Sequence, residues 1–156
     1  NIYAVNLCLN RTSQPRADST MSELNCKLPD IKVTKPKGLS ARLFFQVFSG
    51  PNAIAFAQLS SHSHDRRRRL VNDDSQREVS FVLGVSYCLK NIEVSPHYRN
   101  QGIGSALLKE VIGFCRDERV NFLYGEPKGD LGALRKWYTG EGFDLDAVDN
   151  IQLQLV

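Results

Sequence analysis

The chain has 156 residues, 42% of them hydrophobic and 24% charged, with a formal net charge of +3. That length and composition fit one soluble domain with a real core and exclude a low-complexity chain. The charge is too small to argue for nucleic acid by itself, and it suits an anionic small ligand equally well.

Cys8, Cys26, Cys88 and Cys115 form no Cys-x-x-Cys pair and no metal spacing. Cys88 and Cys115 sit inside apolar patterns, where a reduced cysteine is a small hydrophobe. These features predict a reducing, cytoplasmic setting. Asn1 to Asn10 is too short and interrupted for a signal peptide or membrane span and lacks a basic leader. A start at Asn also fits a trimmed upstream segment.

Ile2 to Leu9 is apolar and β-prone, the expected first strand. Residues 10 to 38 are polar and punctuated by Pro15, Pro29 and Pro36. They leave room for one short helix over Asp18 to Lys27, with Asp18 or Ser19 as its cap. Leu43 to Phe48, Ser49-Gly50-Pro51-Asn52 and Ala53 to Leu59 predict a β-hairpin with a four-residue turn. Ser60 to Arg77 reads as a charged loop. Phe81 to Val94 returns to β character, with Gly84 as a bend.

Ile103 to Glu118 predicts a helix with Ile103, Ala106, Leu107, Val111, Phe114 and Cys115 on one face. A short strand at Val120 to Tyr124, a helix at Leu131 to Tyr138 ended by Gly140 and Gly142, and an alternating strand from Ile151 follow. Strands first, then β-α-β-α-β-β, predict an α/β (α+β) domain with helices packed on a mixed sheet.

Val94-Ser95-Pro96-His97-Tyr98-Arg99-Asn100-Gln101-Gly102-Ile103-Gly104 ends a strand and opens a helix. A helix start offers unpaired N–H groups and the positive end of the dipole, and glycines let an anion approach the backbone. A lone Gly-x-Gly is equally compatible with plain turn geometry. Further along, Trp137-Tyr138-Thr139-Gly140-Glu141-Gly142-Phe143 places a Tyr at a helix end before a Gly-Phe step.

Arg99-x-x-Gly102-x-Gly104 resembles the pyrophosphate signature of the GNAT superfamily of acyl-CoA-dependent N-acetyltransferases, and Tyr138-x-x-x-Gly142-Phe143 resembles its second landmark, in the family's order. The match runs from Leu89 to Phe143 and loosely to Val156; earlier, only the hairpin at 41 to 60 is similar. The resemblance implies one domain over 1–156, with a mostly antiparallel mixed sheet, a central strand pair splayed near Val94 and helices on both faces.

It further implies acetyl-CoA as cofactor. Backbone groups of Ile92 and Val94 would pair with the pantetheine arm. Amides of Arg99, Asn100, Gln101, Gly102, Ile103, Gly104 and Ser105, with the Ser105 hydroxyl, would hold the pyrophosphate. Tyr138 matches the family's general acid, a role a phenol protonated at neutral pH can fill.

Glu126 falls where ribosomal-protein alanine acetyltransferases of this pattern keep a catalytic Glu, although Pro127 follows it directly. Glu93 would act through water as an alternative base, or serve only as a strand carboxylate. Cys88 stands where histone-type members place their base, and Leu131 where many relatives carry a cofactor-contacting Asn. The implied reaction is direct attack of a primary amine on the thioester, the acceptor being a small molecule or a protein amine.

The two departures also fit a non-catalytic acyl-CoA sensor or interaction module. Arg66 to Arg69 is flanked by Asp65, Asp73 and Asp74 with no interleaved aromatics, which fits a solvated loop better than a nucleic-acid site. His62-x-His64 lacks a third ligand for zinc. Leu107 at the third fingerprint position speaks against a Rossmann dinucleotide site. Monomer and homodimer fit the sequence equally.

Overall fold

The computed structural model of the chain describes residues 19–61, 85–146 and 149–155. The expected strand at Ile2 to Leu9, most of the charged loop with Arg66 to Arg69, and Gly84 lie outside the described residues. The strands are β1 (Ser19–Glu23), β2 (Ile31–Pro36), β3 (Arg42–Ser49), β4 (Asn52–Ser60), β5 (Ser86–Val94), β6 (Phe122–Gly125), β7 (Asp144–Leu145) and β8 (Ile151–Gln154). The helices are α1 (Ile103–Asp117) and α2 (Leu131–Gly140). One sheet holds the strands in the order β1-β2-β3-β4-β5-β6-β8-β7. Among the described strands only β5 and β6 run parallel, because α1 carries the chain back between them.

The helix expected over Asp18 to Lys27 is replaced by β1 and the turn after it. Ser19, Thr20 and Ser22 gain little in a helix interior, whereas the hairpin with β2 buries Ile31 and Val33 and sets Glu23 opposite Lys32. The two charges meet at 3.0 Å across the strands. Pro29 and Pro36 bracket too few residues for the alternation of β2 to stand out in the sequence.

The period-two pattern of the hairpin sends Leu43, Phe45 and Val47 of β3 and Ala55, Ala57 and Leu59 of β4 into one core. The buried stripe of α1 and Leu134 and Tyr138 of α2 complete it. The alternate residues form smaller clusters, Phe48 and Phe56 in one and Cys88, Phe122 and Tyr124 in another.

Helix α1 ends in a Schellman turn: Val120 N–H donates to Cys115 O at 2.8 Å and Arg119 N–H to Arg116 O at 3.1 Å. Arg119 occupies the left-handed position, with φ 60°. Val120 and Cys115 are both buried in the main core, as the apolar pair of that motif requires.

The functional geometry begins where β5 loses its second neighbour. Gln58 opposes Asn91, but Leu59 opposes Leu89, so Lys90 is an extra residue that bulges β5. The parallel ladder to β6 ends at the same point, with Leu89 opposite Gly125. A Cβ on Gly125 would stand 3.0 Å from Leu89 O, so the two backbones meet tightly at the vertex. Beyond it, Lys90 to Val94 pair with β4 alone. The splay therefore opens at the bulge, several residues before the Val94 position expected from sequence.

Candidate active site

The ladder register decides which peptide groups of β5 face the opening. Ser95 N–H donates to Ile54 O at 2.7 Å, so alternate residues Asn91, Glu93 and Ser95 turn their peptides towards β4. Ile92 and Val94 consequently turn theirs towards the splay. Arg99 Nε donates to Val94 O at 3.0 Å and closes the far end of this strand. The amide of Arg99 leans back on Pro96 O at 3.5 Å, so its guanidinium is its better-placed polar group.

Between strand and helix the chain makes a 3-10 turn over Pro96–Tyr98 and then two left-handed steps, Asn100 at φ 61° and Gly102 at φ 81°. Such alternation turns successive N–H groups to one side, a concavity suited to an anion. Gly102 is the N-cap of α1 and supplies no capping side chain; the first intrahelical bond is Ala106 N–H to Gly102 O at 3.0 Å. The first amides of α1, through Ser105, are therefore left for a ligand, with the helix dipole behind them. A Cβ on Gly102 would meet open space, and one on Gly104 would rest 3.6 Å from both Trp137 and Val94. The chemistry of a diphosphate fits this turn.

Helix α2 starts at Asp130, whose carboxylate accepts from Ala133 N–H at 3.3 Å. It ends in a second Schellman turn: Phe143 N–H donates to Tyr138 O at 3.0 Å, Gly142 N–H to Thr139 O at 3.1 Å, and Gly142 is left-handed at φ 96°. The Tyr138-x-x-x-Gly142-Phe143 spacing is thus a helix terminator that places the tyrosine. Tyr138 is 4% exposed, and burial holds its phenol well above the usual value, fully protonated.

Tyr138, Glu126 and Glu93 line one cleft of about 250 Å³ in the mouth of the splay, with Leu89 to Ile92, Pro127, Lys128, Leu134, Trp137 and Ile151. Glu93 is half-buried and Glu126 exposed. Cys88 does not line it; its side chain packs with Phe122 and Tyr124. Leu131 is 42% exposed at the first turn of α2 and also stands outside the cleft. Asn100, Gln101, Gly102 and Ser105 line a second groove of about 550 Å³, walled opposite by Asn25, Cys26 and Lys27.

Two features escaped the sequence reading. The β1–β2 connection at Asn25 to Lys27 was hidden by the missed hairpin. Trp137 was visible as the sole tryptophan beside Tyr138, but nothing in the sequence gave it a partner. Its Nε1–H donates to Ser105 Oγ at 2.8 Å, joining α2 to the first turn of α1. No helix among the described residues is long and apolar enough to cross a membrane, and no metal-binding cluster occurs among them.

A splayed β5, an uncapped glycine turn and a helix-end tyrosine together define an acyltransferase scaffold. The acetyltransferase (GNAT) family model matches residues 18–143, and the chain belongs to that family. No curated protein sequence matches it. Among solved structures it resembles a ribosomal-protein alanine N-acetyltransferase from Escherichia coli, at 21% identity and TM-score 0.54, over 75% of this chain and 71% of that one. A GNAT acetyltransferase from Elizabethkingia anophelis with acetyl-CoA bound matches at 14% identity and TM-score 0.56, over 82% of this chain and all of that one. The PaiA N-acetyltransferase from Thermoplasma acidophilum, in complex with coenzyme A, matches at 16% and 0.52, over 73% and 61%. At these identities the likeness establishes a common fold.

Proposed function

We propose that the chain transfers an acetyl group from acetyl-CoA to a primary amine by direct attack in a ternary complex. The observation that carries this reading is the continuity of the splay with the glycine turn. Peptides of Ile92 and Val94 facing the opening offer an extended thioester arm the pairing of an added strand. The amides from Asn100 to Ser105 lie at the end of that strand, where a diphosphate would follow the arm. When bound, acetyl-CoA supplies the activated acetyl group.

The chain's own residues then have distinct tasks. Among the amides near Val94, the Ile92 N–H faces the splay from the stretch of β5 that lines the cleft with Tyr138, and would polarise the thioester carbonyl. Glu126, Glu93 or a water held by them takes the amine proton, a contribution of about 10²–10⁴-fold. Tyr138 donates a hydrogen bond to the departing sulfur. A phenol is already a weaker acid than a thiol of pKa about 8.5 and burial weakens it further, so it stabilises developing charge more than it transfers a proton outright. Holding both substrates in one cleft supplies much of the remaining acceleration.

The acceptor is an amine on a small molecule or a protein, and the ribosomal-protein acetyltransferase among the similar structures makes a protein N-terminus worth including in a screen. One sheet runs through all described strands, which supports a one-domain reading. A thermal-shift series with CoA, acetyl-CoA and NAD, followed by thiol release over an amine panel, tests the proposal. CoA-dependent stabilisation of about 2.7 kcal/mol is expected at 100 times Kd; no response to either CoA ligand overturns it.

A further inference from the structure

Trp137 touches three parts of the site. Its indole N–H donates to Ser105 Oγ at 2.8 Å. Its ring stands 4.7 Å, centre to centre, from that of Tyr138, tilted by 49°. Its Cζ2 fills the space over Gly104, where an added Cβ would contact Trp137 and Val94 alike at 3.6 Å. It also walls the cleft that holds Tyr138, Glu93 and Glu126.

An indole N–H only donates. Ser105 Oγ therefore accepts here, which leaves its own proton to be donated elsewhere. Ser105 is the third residue of α1, beside amides that have no side-chain cap. A hydroxyl that already accepts is a stronger donor, because chained hydrogen bonds polarise one another. An anion in the turn is the natural recipient of that proton. The same bond fixes the indole, and the indole forms one wall against the phenol ring.

We infer that Trp137 is a positioning residue: through Ser105 it readies the turn for the cofactor's diphosphate, and through its ring it holds Tyr138 at the reacting end of the cleft. The inference rests on the CoA-binding reading above. It adds a link between the two ends of the site, so that filling the diphosphate turn and setting the phenol are coupled.

Because Trp137 is the only tryptophan, its fluorescence reports this link directly. The experiment measures CoA affinity by calorimetry for the wild type, Ser105→Ala, Ser105→Thr, Trp137→Phe and the Ala/Phe double variant, and tryptophan emission, with and without CoA, for the three that keep Trp137. Ser105→Ala should alter the emission of the free protein and raise the CoA Kd about fivefold, the effect of one hydrogen bond. Ser105→Thr, which keeps the hydroxyl, should restore both. Trp137→Phe should raise Kd to a similar extent, and the double variant should be no weaker than either single one.

Multiplying effects in the double variant, or emission indifferent to both Ser105→Ala and CoA, would overturn the inference while CoA binding by the wild type leaves the broader reading intact. A wild type without CoA affinity removes both. Should Trp137→Phe fail to fold, the Ser105→Ala and Ser105→Thr arms decide on emission and affinity alone.

Discussion

Tyr138 and Phe143 are joined twice: the Phe143 N–H donates to the Tyr138 carbonyl at 3.0 Å, and the two rings meet edge to face with centroids 5.4 Å apart. The first contact closes the Schellman turn and the second is its apolar lock. Gly142 makes both possible by taking φ 96°, with open space where a Cβ would stand. Gly142→Ala therefore meets backbone strain and no clash. It should lower stability by about 1–2 kcal/mol, a fall of roughly 2–8 °C in Tm. Because the turn anchors Tyr138, kcat should drop while CoA affinity stays near wild type. An unchanged Tm would show that the turn tolerates a side chain and does not fix the phenol.

Tyr138→Phe isolates the hydroxyl. The ring remains to pack on Phe143 and Trp137, so the fold should survive, and loss of the donor should reduce kcat by about 10²-fold or more with little change in CoA Kd. Since burial keeps the phenol protonated well above its ordinary range, no limb of the pH–rate profile below pH 10 should belong to it. The profile of the variant should keep the wild-type shape at a lower level. A limb that vanishes with the hydroxyl would show that Tyr138 titrates during turnover.

Much of this site was legible because its signals are local. Gly102 and Gly142 are demanded by left-handed turns, and Tyr138 and Phe143 stand at fixed places in a helix terminator, so the local spacing was enough to carry the family resemblance that pointed to them. The hairpin of β3 and β4 announced itself by alternation around Gly50-Pro51. The β1–β2 hairpin did not, since its stability comes from pairing across Pro29 and from the distant core that receives Ile31 and Val33. The bulge at Lys90 was equally hidden: an extra residue is defined only by the partner strand. The Trp137–Ser105 bond joins two helices through tertiary packing, which no periodicity records.

Alkaline stability follows from three buried acids. Burial raises Cys115 from 9.0 to about 12 and lifts Tyr138; burial chiefly, then the nearby Cys115, lifts Tyr87 despite its hydrogen bond to Ser40 O. Below about pH 8 these groups are essentially protonated in both the folded and unfolded chains and contribute little pH dependence. Above that, the unfolded chain releases protons that the folded chain retains, so stability falls with rising pH until the folded values are passed. Cys115 alone should remove about 1.5 kcal/mol between pH 8 and pH 10, with the tyrosines adding to the decline above pH 10. Urea unfolding across pH 7–11 measures it. Cys115→Ala should flatten the curve between pH 8 and 10, and an equally steep variant would assign the loss elsewhere.

The other Schellman turn carries Arg119 where glycine is usual. Its φ of 60° costs an L-residue about 1–2 kcal/mol, partly offset by the greater freedom that glycine has in the unfolded chain. Arg119 makes no side-chain bond among the described residues that would compensate. Arg119→Gly should therefore stabilise by about 0.5–1 kcal/mol, seen as a rise of a few degrees in Tm. A lower Tm would mean that the arginine side chain contributes more than its backbone strain removes.

The two glycines of the turn should behave differently although they sit two residues apart. Gly104 has ordinary φ, and a methyl group there would make van der Waals contacts of 3.6 Å with Trp137 and Val94, so Gly104→Ala should leave stability and CoA affinity close to wild type. Gly102 stands at φ 81°, the left-handed step that turns the amides of the helix start to one side. Gly102→Ala meets no protein atom, yet it strains the backbone by about 1 kcal/mol. Any relaxation that relieves this strain rotates the N–H groups out of the nest. CoA Kd should rise about tenfold, and more with Gly102→Val, whose branched side chain resists that φ further. Calorimetric titration of both alanine variants decides between a built anion site and plain turn geometry. Equal CoA affinity in the two would mean that the left-handed step serves only the fold, and the diphosphate would then have to be held elsewhere.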